Sequence, residues 1–491
     1  MTIAEAKQFI KDTVELYLAK DEFGDYRIPV AKQRPVFLVG APGIGKTAIM
    51  SQVASELGIA LVSYSMTHHT RQSALGLPFI REKNFGGKVT SVSEYTMSEI
   101  IASVYDTMEE SGVGEGILFL DEINCVSETL YPSMLGFLQY KVFGRHSVPE
   151  GWVIVTAGNP PEFNRAVREF DVVTLDRLKV IEVEADYPAW KKYAGETGIH
   201  GAILGFLEAD RDSFYRVETT AGGRNYVTAR GWEDLSDMIR LYEESGKKVT
   251  DRLIGQYIKN DTTVREFSAY YDLWQKYRRA YDLEAAFEGK VSEKTMETVW
   301  KAPVDERLAL TGLLSDMLKS KMKPVTEKTA LLSDSRGMIL GLLEEGTDVK
   351  TRLKELIEET GMKAEEKKKA GTLSAAEKKK ARQKAAFLTE LRKKAEDQES
   401  LRRVYNEKLG ELKEQADGVK KETENLFDSF SRIFGEDSDE MLLLVTELTL
   451  AKDSSAFFAN FGSDAYEKHQ KLLMVNDRRE DLRKEILEFL S

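Results

Sequence analysis

The residues of this 491-residue chain that could do chemistry gather in three short segments of its N-terminal third. The first is Gly40-Ala41-Pro42-Gly43-Ile44-Gly45-Lys46-Thr47, directly after the apolar run Val36–Val39. Its spacing is G-x-x-x-x-G-K-[ST]. Glycines let successive backbone N–H groups curl around phosphate oxygens without Cβ clashes. A helix over Thr47–Leu57 would add the positive end of its dipole. The cradle of Gly40, Pro42, Gly43, Ile44, Gly45, Lys46, Thr47 and Ala48 is therefore a candidate site for nucleotide phosphates. Lys46 can reach the β and γ phosphates, and the Thr47 hydroxyl can bind Mg²⁺.

The second segment is Ile117-Leu118-Phe119-Leu120-Asp121-Glu122. Four apolar residues read as a buried strand with two carboxylates at its C-terminal end, where open α/β sheets place ligands. Asp121 is the candidate metal ligand and Glu122 the candidate general base for an attacking water. The third segment, Val153-Ile154-Val155-Thr156-Ala157-Gly158-Asn159-Pro160, is a further apolar run ending in an amide. Asn159 could orient that water or touch the γ phosphate. Alone, a carboxylate pair can be incidental and Asn-Pro can be a simple turn; the order of the three segments along the chain favours the catalytic reading.

Composition narrows the class. Lys plus Arg total 70 and Asp plus Glu total 82, giving a net charge of −12. A balance this acidic does not suit a general nucleic-acid coat. The single cysteine, Cys125, excludes an intramolecular disulfide and a cysteine-based zinc cluster, and suits a reducing, cytoplasmic setting. No run of eighteen apolar residues is present, so no membrane insertion is expected. The length suggests three or four folding units.

These segments need elements to position them. Residues 1–20 carry apolar positions at helical spacing. Short apolar runs at Val36–Val39, Ile59–Tyr64, Ile117–Leu120, Val153–Thr156 and Val180–Val183 alternate with helix-like stretches, the pattern of a parallel sheet with helical crossovers. The expected division is an α/β nucleotide-binding domain over 1–185, a helical lid over 186–250, a helical domain over 251–360, a charged helical arm over 361–434 and C-terminal helices over 435–491. An aromatic stripe, Tyr257, Phe267, Tyr270, Tyr271, Trp274, Tyr277 and Tyr281, reads as core packing. The seam Tyr405, Leu409, Leu412, Ala416, Val419, Thr423, Leu426, Phe430, Ile433 has a heptad-like period, so 376–434 reads as long helices in a hairpin or coiled-coil arm. Gly361, Gly371 and Thr372–Ser374 are candidate breaks. The triplets Lys367–Lys369 and Lys378–Lys380 read as a solvated helix face, with an acidic partner as the alternative.

Together the three motifs resemble those of the AAA+ ATPases, over roughly residues 1–245. Asp121-Glu122-Ile123-Asn124 and Gly76-Leu77-Pro78 are similar to segments of the MoxR-like, dynein-related branch. The resemblance implies a P-loop parallel sheet with a helical lid, ahead of the all-α C-terminal region. It also implies a ring, usually a hexamer, with a neighbour supplying an arginine to each site. Leu175-Asp176-Arg177-Leu178 nominates Arg177, with Leu in place of the family's usual Phe; Arg165 and Arg168 are rivals. Thr228-Ala229-Arg230-Gly231-Trp232 nominates Arg230 as the lid's nucleotide-sensing arginine. The branch implies a chaperone that remodels or assembles a separate protein partner, such as one with a von Willebrand factor A domain. Two other readings stay open: a nucleic-acid-associated P-loop NTPase, and a nucleotide-gated scaffold with little hydrolysis.

Some residues invite chemistry that their surroundings do not support. Adjacent His68 and His69 diverge rather than converge on a metal; their segment, Ser65–Ala74, sits near the ring pore in relatives, so substrate contact is the alternative. Cys125 reads as a structural thiol. Gln139–Gly151, with Lys141, Arg145 and His146, reads as a hairpin or surface loop.

Overall fold

The computed structural model describes residues 1–68, 71–163, 167–220, 223–280, 283–343 and 348–471. The chain forms two compact units: 1–186 with 355–386, and 187–354 with 387–491.

The first unit opens with α1 (Ile3–Leu18), started by Thr2 and Glu5 in a reciprocal cap. Its buried stripe of Ala6, Ile10, Val14 and Tyr17 lies against α2 (Lys46–Leu57). Five strands make one parallel sheet in the order β2-β5-β8-β1-β9: β1 (Val36–Gly40), β2 (Ala60–Ser65), β5 (Gly116–Asp121), β8 (Trp152–Gly158) and β9 (Lys179–Val183). Burial on both faces explains why β5 and β8 read as unbroken apolar runs rather than alternating ones. The main core joins Phe37, Leu118, Leu120, Trp152 and Ile154 to Ile100, Ile101 and Val104 of α4 (Glu99–Ser111) and to Met134 and Phe137 of α5 (Tyr131–Tyr140). Close approaches demand glycine at two strand ends. A Cβ on Gly40 would lie 2.5 Å from the Val183 carbonyl, and one on Gly116 would lie 2.7 Å from the Trp152 ring.

Between β2 and α4 the chain forms α3 (Arg71–Leu75) and a long antiparallel ribbon, β3 (Pro78–Phe85) with β4 (Lys88–Tyr95). The sequence did not announce this ribbon. Most of its residues are exposed, so no buried face imposed an alternation on it. A second, small hairpin pairs β6 (Val142–Phe143) with β7 (His146–Ser147), within the segment expected to be a hairpin or loop. The two are tied together. Glu94 of β4 pairs with Arg145 at 2.5 Å in the small hairpin's turn, and with Lys83 across the ribbon. The neighbouring Lys83, then Arg145 and Arg81, hold the Glu94 carboxyl below its ordinary range. After β8 comes the single turn α6 (Val172–Leu175), capped by Asp171.

The second unit runs through α7 (Tyr187–Thr197), α8 (Gly201–Ala209), the hairpin β10 (Arg216–Thr220) with β11 (Gly223–Val227), α9 (Ala229–Glu244), α10 (Asp251–Tyr257), α11 (Asp261–Ala280), α12 (Leu283–Glu288), α13 (Glu293–Trp300) and the 39-residue α14 (Val304–Leu342). The β10–β11 hairpin interrupts the helical lid expected over 186–250; its strands are five residues each, too brief for a hydropathy signal. Phe206, Trp232, Phe267, Tyr271 and Trp274 pack ring on ring, so Phe267, Tyr271 and Trp274 of the aromatic stripe are core, while Tyr257 and Tyr270 are half-buried. Tyr281 lies outside the described residues.

The chain then forms α15 (Val349–Lys369) and α16 (Ala375–Lys394), followed by α17 (Gln398–Phe434), α18 (Asp439–Leu450) and α19 (Lys452–Phe461). The turn between α15 and α16 breaks at Gly371 (φ +71°) and Thr372–Ser374, as expected, but Gly361 sits inside α15 and breaks nothing. Residues 355–386 of this helical pair belong to the first unit, where the turn meets edge strand β2. Leu61 donates its N–H to the Ala370 carbonyl at 3.1 Å. Lys367 and Lys368 pair with Glu377 and Glu365, consistent with a solvated face. The α17 seam buries Leu412, Ala416, Thr423, Leu426 and Phe430 against α12 and α14, whereas Leu409 is exposed. The seam thus serves a helical bundle rather than one coiled-coil partner, and the burying face drifts away from Leu409. Among the described residues, no helix is long and apolar enough to cross a membrane.

Candidate nucleotide site

Parallel pairing brings the chemistry to one edge of the sheet. In register, Val39 lies beside Gly158, Leu120 beside Thr156 and Ser65 beside Asp121. The residues that leave β1, β5, β8 and β2 therefore emerge side by side, at the C-terminal ends where α/β sheets bind ligands.

Gly43 (φ +76°) and Gly45 (φ +97°) occupy the left-handed region, which turns the chain sharply before α2. Gly45 is the N-cap of α2 and supplies no side-chain cap to its first turn. Lys46 is buried, and its Nζ donates to the carbonyls of Gly40 (2.7 Å) and Ala41 (2.8 Å) and to Asn159 Oδ1 (3.0 Å). These bonds hold a buried ammonium beside the glycine loop, a group suited to charge-assisted bonds with an anionic phosphate. The Thr47 hydroxyl donates to Asp121 Oδ2 at 2.7 Å. One hydroxyl and one carboxylate at this separation, all oxygen donors, suit Mg²⁺ completed by phosphate and water.

Glu122 adopts φ 56°, ψ 35°. This conformation costs an L-residue about 1–2 kcal/mol, and it turns the Glu122 side chain toward β2. There Glu122 Oε2 accepts from Ser65 Oγ (2.9 Å) and Thr67 Oγ1 (2.8 Å). Its N–H donates to Asp121 Oδ1 at 2.9 Å. Ser65 and Thr67 escaped sequence reasoning because isolated hydroxyls carry no spacing signal. Only the pairing of Ser65 with Asp121 reveals them.

The structure thus brings together Gly40–Ala48, Asp121, Glu122 and Asn159. Arg177, exposed just after α6, donates to the Val173 carbonyl at 2.8 Å. Val172 and Val173 beside it are 80% and 59% exposed. Arg168 pairs with Glu128 at 2.5 Å and lies over the Tyr131 ring. Arg165 and His69 lie outside the described residues. Arg230 is exposed in the first turn of α9 in the second unit, behind the Thr228 cap. Among the described residues, no group of three or more His, Cys, Asp or Glu could hold a metal ion.

Residues 36–175 match the model of the ATPase family associated with various cellular activities (AAA). That span runs from the first residue of β1 to the last of α6, and it contains Lys46, Asp121, Glu122 and Asn159. The chain therefore carries a nucleotide-binding domain of the AAA+ ATPase class. No curated protein matches the chain.

Proposed function

We propose that the protein is a Mg²⁺-dependent ATPase of the MoxR-like, dynein-related branch, which assembles into a ring and uses hydrolysis to remodel or assemble a separate protein partner. The observation that carries the ATPase reading is the linked set Lys46–Asn159 and Thr47–Asp121, with Glu122 on the adjoining residue. In this reading the cradle binds the triphosphate through its N–H groups and Lys46. Thr47 and Asp121 hold Mg²⁺, which screens phosphate charge. Glu122 takes a proton from the attacking water, and Asn159 fixes the position of that water or of the γ phosphate.

Arg177 is the proposed arginine supplied in trans; it supports this role that Arg168 is engaged with Glu128 and Tyr131 while Arg177 is exposed. Exposed Val172 and Val173 beside Arg177 suit contact with a second copy. Arg230 is the proposed nucleotide-sensing residue of the lid. A hexamer, a cytoplasmic setting and a partner bearing a von Willebrand factor A domain follow from the resemblance and complete the proposal.

The first experiment is the solution mass of Glu122→Gln by light scattering, with and without Mg-ATP. A shift to about six subunits with ATP supports the ring; a mass indifferent to ATP rejects an autonomous ring. A second reading, a nucleotide-gated scaffold with slow turnover, draws on the engagement of Glu122 by Ser65 and Thr67. A wild-type hydrolysis rate that Glu122→Gln leaves unchanged would favour it.

A further inference from the structure

Asn124 is the second residue after Glu122, in the short 3₁₀ turn Ile123–Cys125, and it is 5% exposed. A buried amide must find partners, because an unmade hydrogen bond in the interior is costly. Asn124 Nδ2 donates to the backbone carbonyl of Asn159 at 2.8 Å. The rest of the amide lies flat against Gly158, so closely that a Cβ on Gly158 would come within 2.7 Å of Asn124 Cγ. The Asn124 carbonyl in turn accepts from the Arg168 N–H at 2.9 Å. One residue therefore fastens the end of β5 to the end of β8 and to the segment that leads into α6.

The bond lands on the main chain of the residue whose side chain meets Lys46. Asn159 lies beyond the last paired residue of β8, so the sheet does not hold its carbonyl. Asn124 does. We propose that Asn124 is a positioning residue for ATP hydrolysis: its amide sets the orientation of Asn159, and through it the Asn159 Oδ1 to Lys46 Nζ contact. Gly158 is the matching half of the device, since any side chain there would displace the amide. The proposal rests on the ATPase reading above. It adds a part to that site rather than a new substrate.

The test compares kcat, KM for Mg-ATP and thermal unfolding in the wild type, Asn124→Ala, Asn159→Ala and the double variant. Asn124→Ala should lower kcat about 30-fold with little change in KM, since small displacements of positioning groups act on the chemical step. Added to Asn159→Ala, it should cost kcat nothing further. Asn124→Asp keeps the outline of the side chain but lacks the amide donor, which guards against a misfolded alanine variant. It should lose the same activity at neutral pH. It should regain activity relative to wild type as acid restores an O–H that can donate to Asn159, a recovery Asn124→Ala cannot show. The inference is overturned if Asn124→Ala costs the same factor with and without Asn159, or if Asn124→Asp turns over like the wild type at neutral pH. A wild-type chain that does not hydrolyse ATP overturns it together with the ATPase reading. Normal wild-type turnover with Asn159→Ala slow and Asn124→Ala unimpaired overturns it alone.

Discussion

The Thr47 hydroxyl donates to Asp121 Oδ2 at 2.7 Å, joining two residues 74 apart in sequence. Both atoms are the proposed inner ligands of one Mg²⁺. Thr47→Ala removes one ligand and leaves Asp121 without this partner. The Mg²⁺ concentration needed for half-maximal ATP binding should rise about tenfold, measured by titrating Mg²⁺ at fixed ATP. An unchanged requirement would mean that Thr47 does not touch the metal.

Ser65 and Thr67 hold the Glu122 carboxylate by two hydroxyl donors. A carboxylate oxygen occupied by these two donors must release them before it can take a proton from an attacking water. The Ser65→Ala, Thr67→Val double variant should therefore raise the basal ATPase rate, by less than about tenfold. A rate that falls instead would assign the two hydroxyls a supporting role in turnover. The readout is steady-state phosphate release at saturating Mg-ATP.

Much of this site was legible in the sequence. The glycine cradle, Lys46, Thr47, Asp121, Glu122 and Asn159 each stand at the end of a short apolar run, and buried parallel strands leave that trace in the sequence. What escaped was held by contacts without a period. Ser65 and Thr67 reach Glu122 only because β2 pairs with β5, and Asn124 matters only because Gly158 lies against it. The β3–β4 ribbon is exposed on most positions and so lacked a hydrophobic alternation. The α17 seam was visible, but its partners were not, because a burying face does not say how many helices cover it.

Lys141 follows α5 with φ 59°, and its ammonium is buried where it donates to the Val30 carbonyl. Burial pushes its pKa down from 10.5 to about 8. The unfolded chain then binds more protons than the folded one, so this residue destabilises the fold fully below pH 8. The cost fades as pH rises from about 8 toward 10.5. Lys141→Met should stabilise the protein at neutral pH by on the order of 2 kcal/mol, less than the whole shift because the Val30 carbonyl loses its donor. Chemical denaturation of both chains across that pH range should show the difference shrinking. A constant difference would locate the effect in packing alone.

Gly371 makes the turn between α15 and α16 at φ +71°, and a Cβ there would run into the Leu61 carbonyl. Gly371→Val strains the backbone and lifts Ala370 from the Leu61 N–H. The expected loss is about 1–3 kcal/mol, read from denaturant unfolding of the full chain. Gly361→Ala, inside α15 with open space around it, should be neutral or stabilising.

The contact of Ala370 and Gly371 with β2 also sets a timetable for biosynthesis. β2 is an edge strand of the central sheet, and its Leu61 N–H is satisfied by a residue encoded far downstream. On the ribosome, the nucleotide-binding unit must wait with that edge unfinished while residues 187–354 are made. Only after residue 386 emerges is every segment of the unit available. An uncovered strand edge recruits other chains. Early termination or proteolytic loss of the α15–α16 turn would thus expose the sheet to intermolecular pairing, and holdase chaperones would find their binding site on the nascent chain at β2.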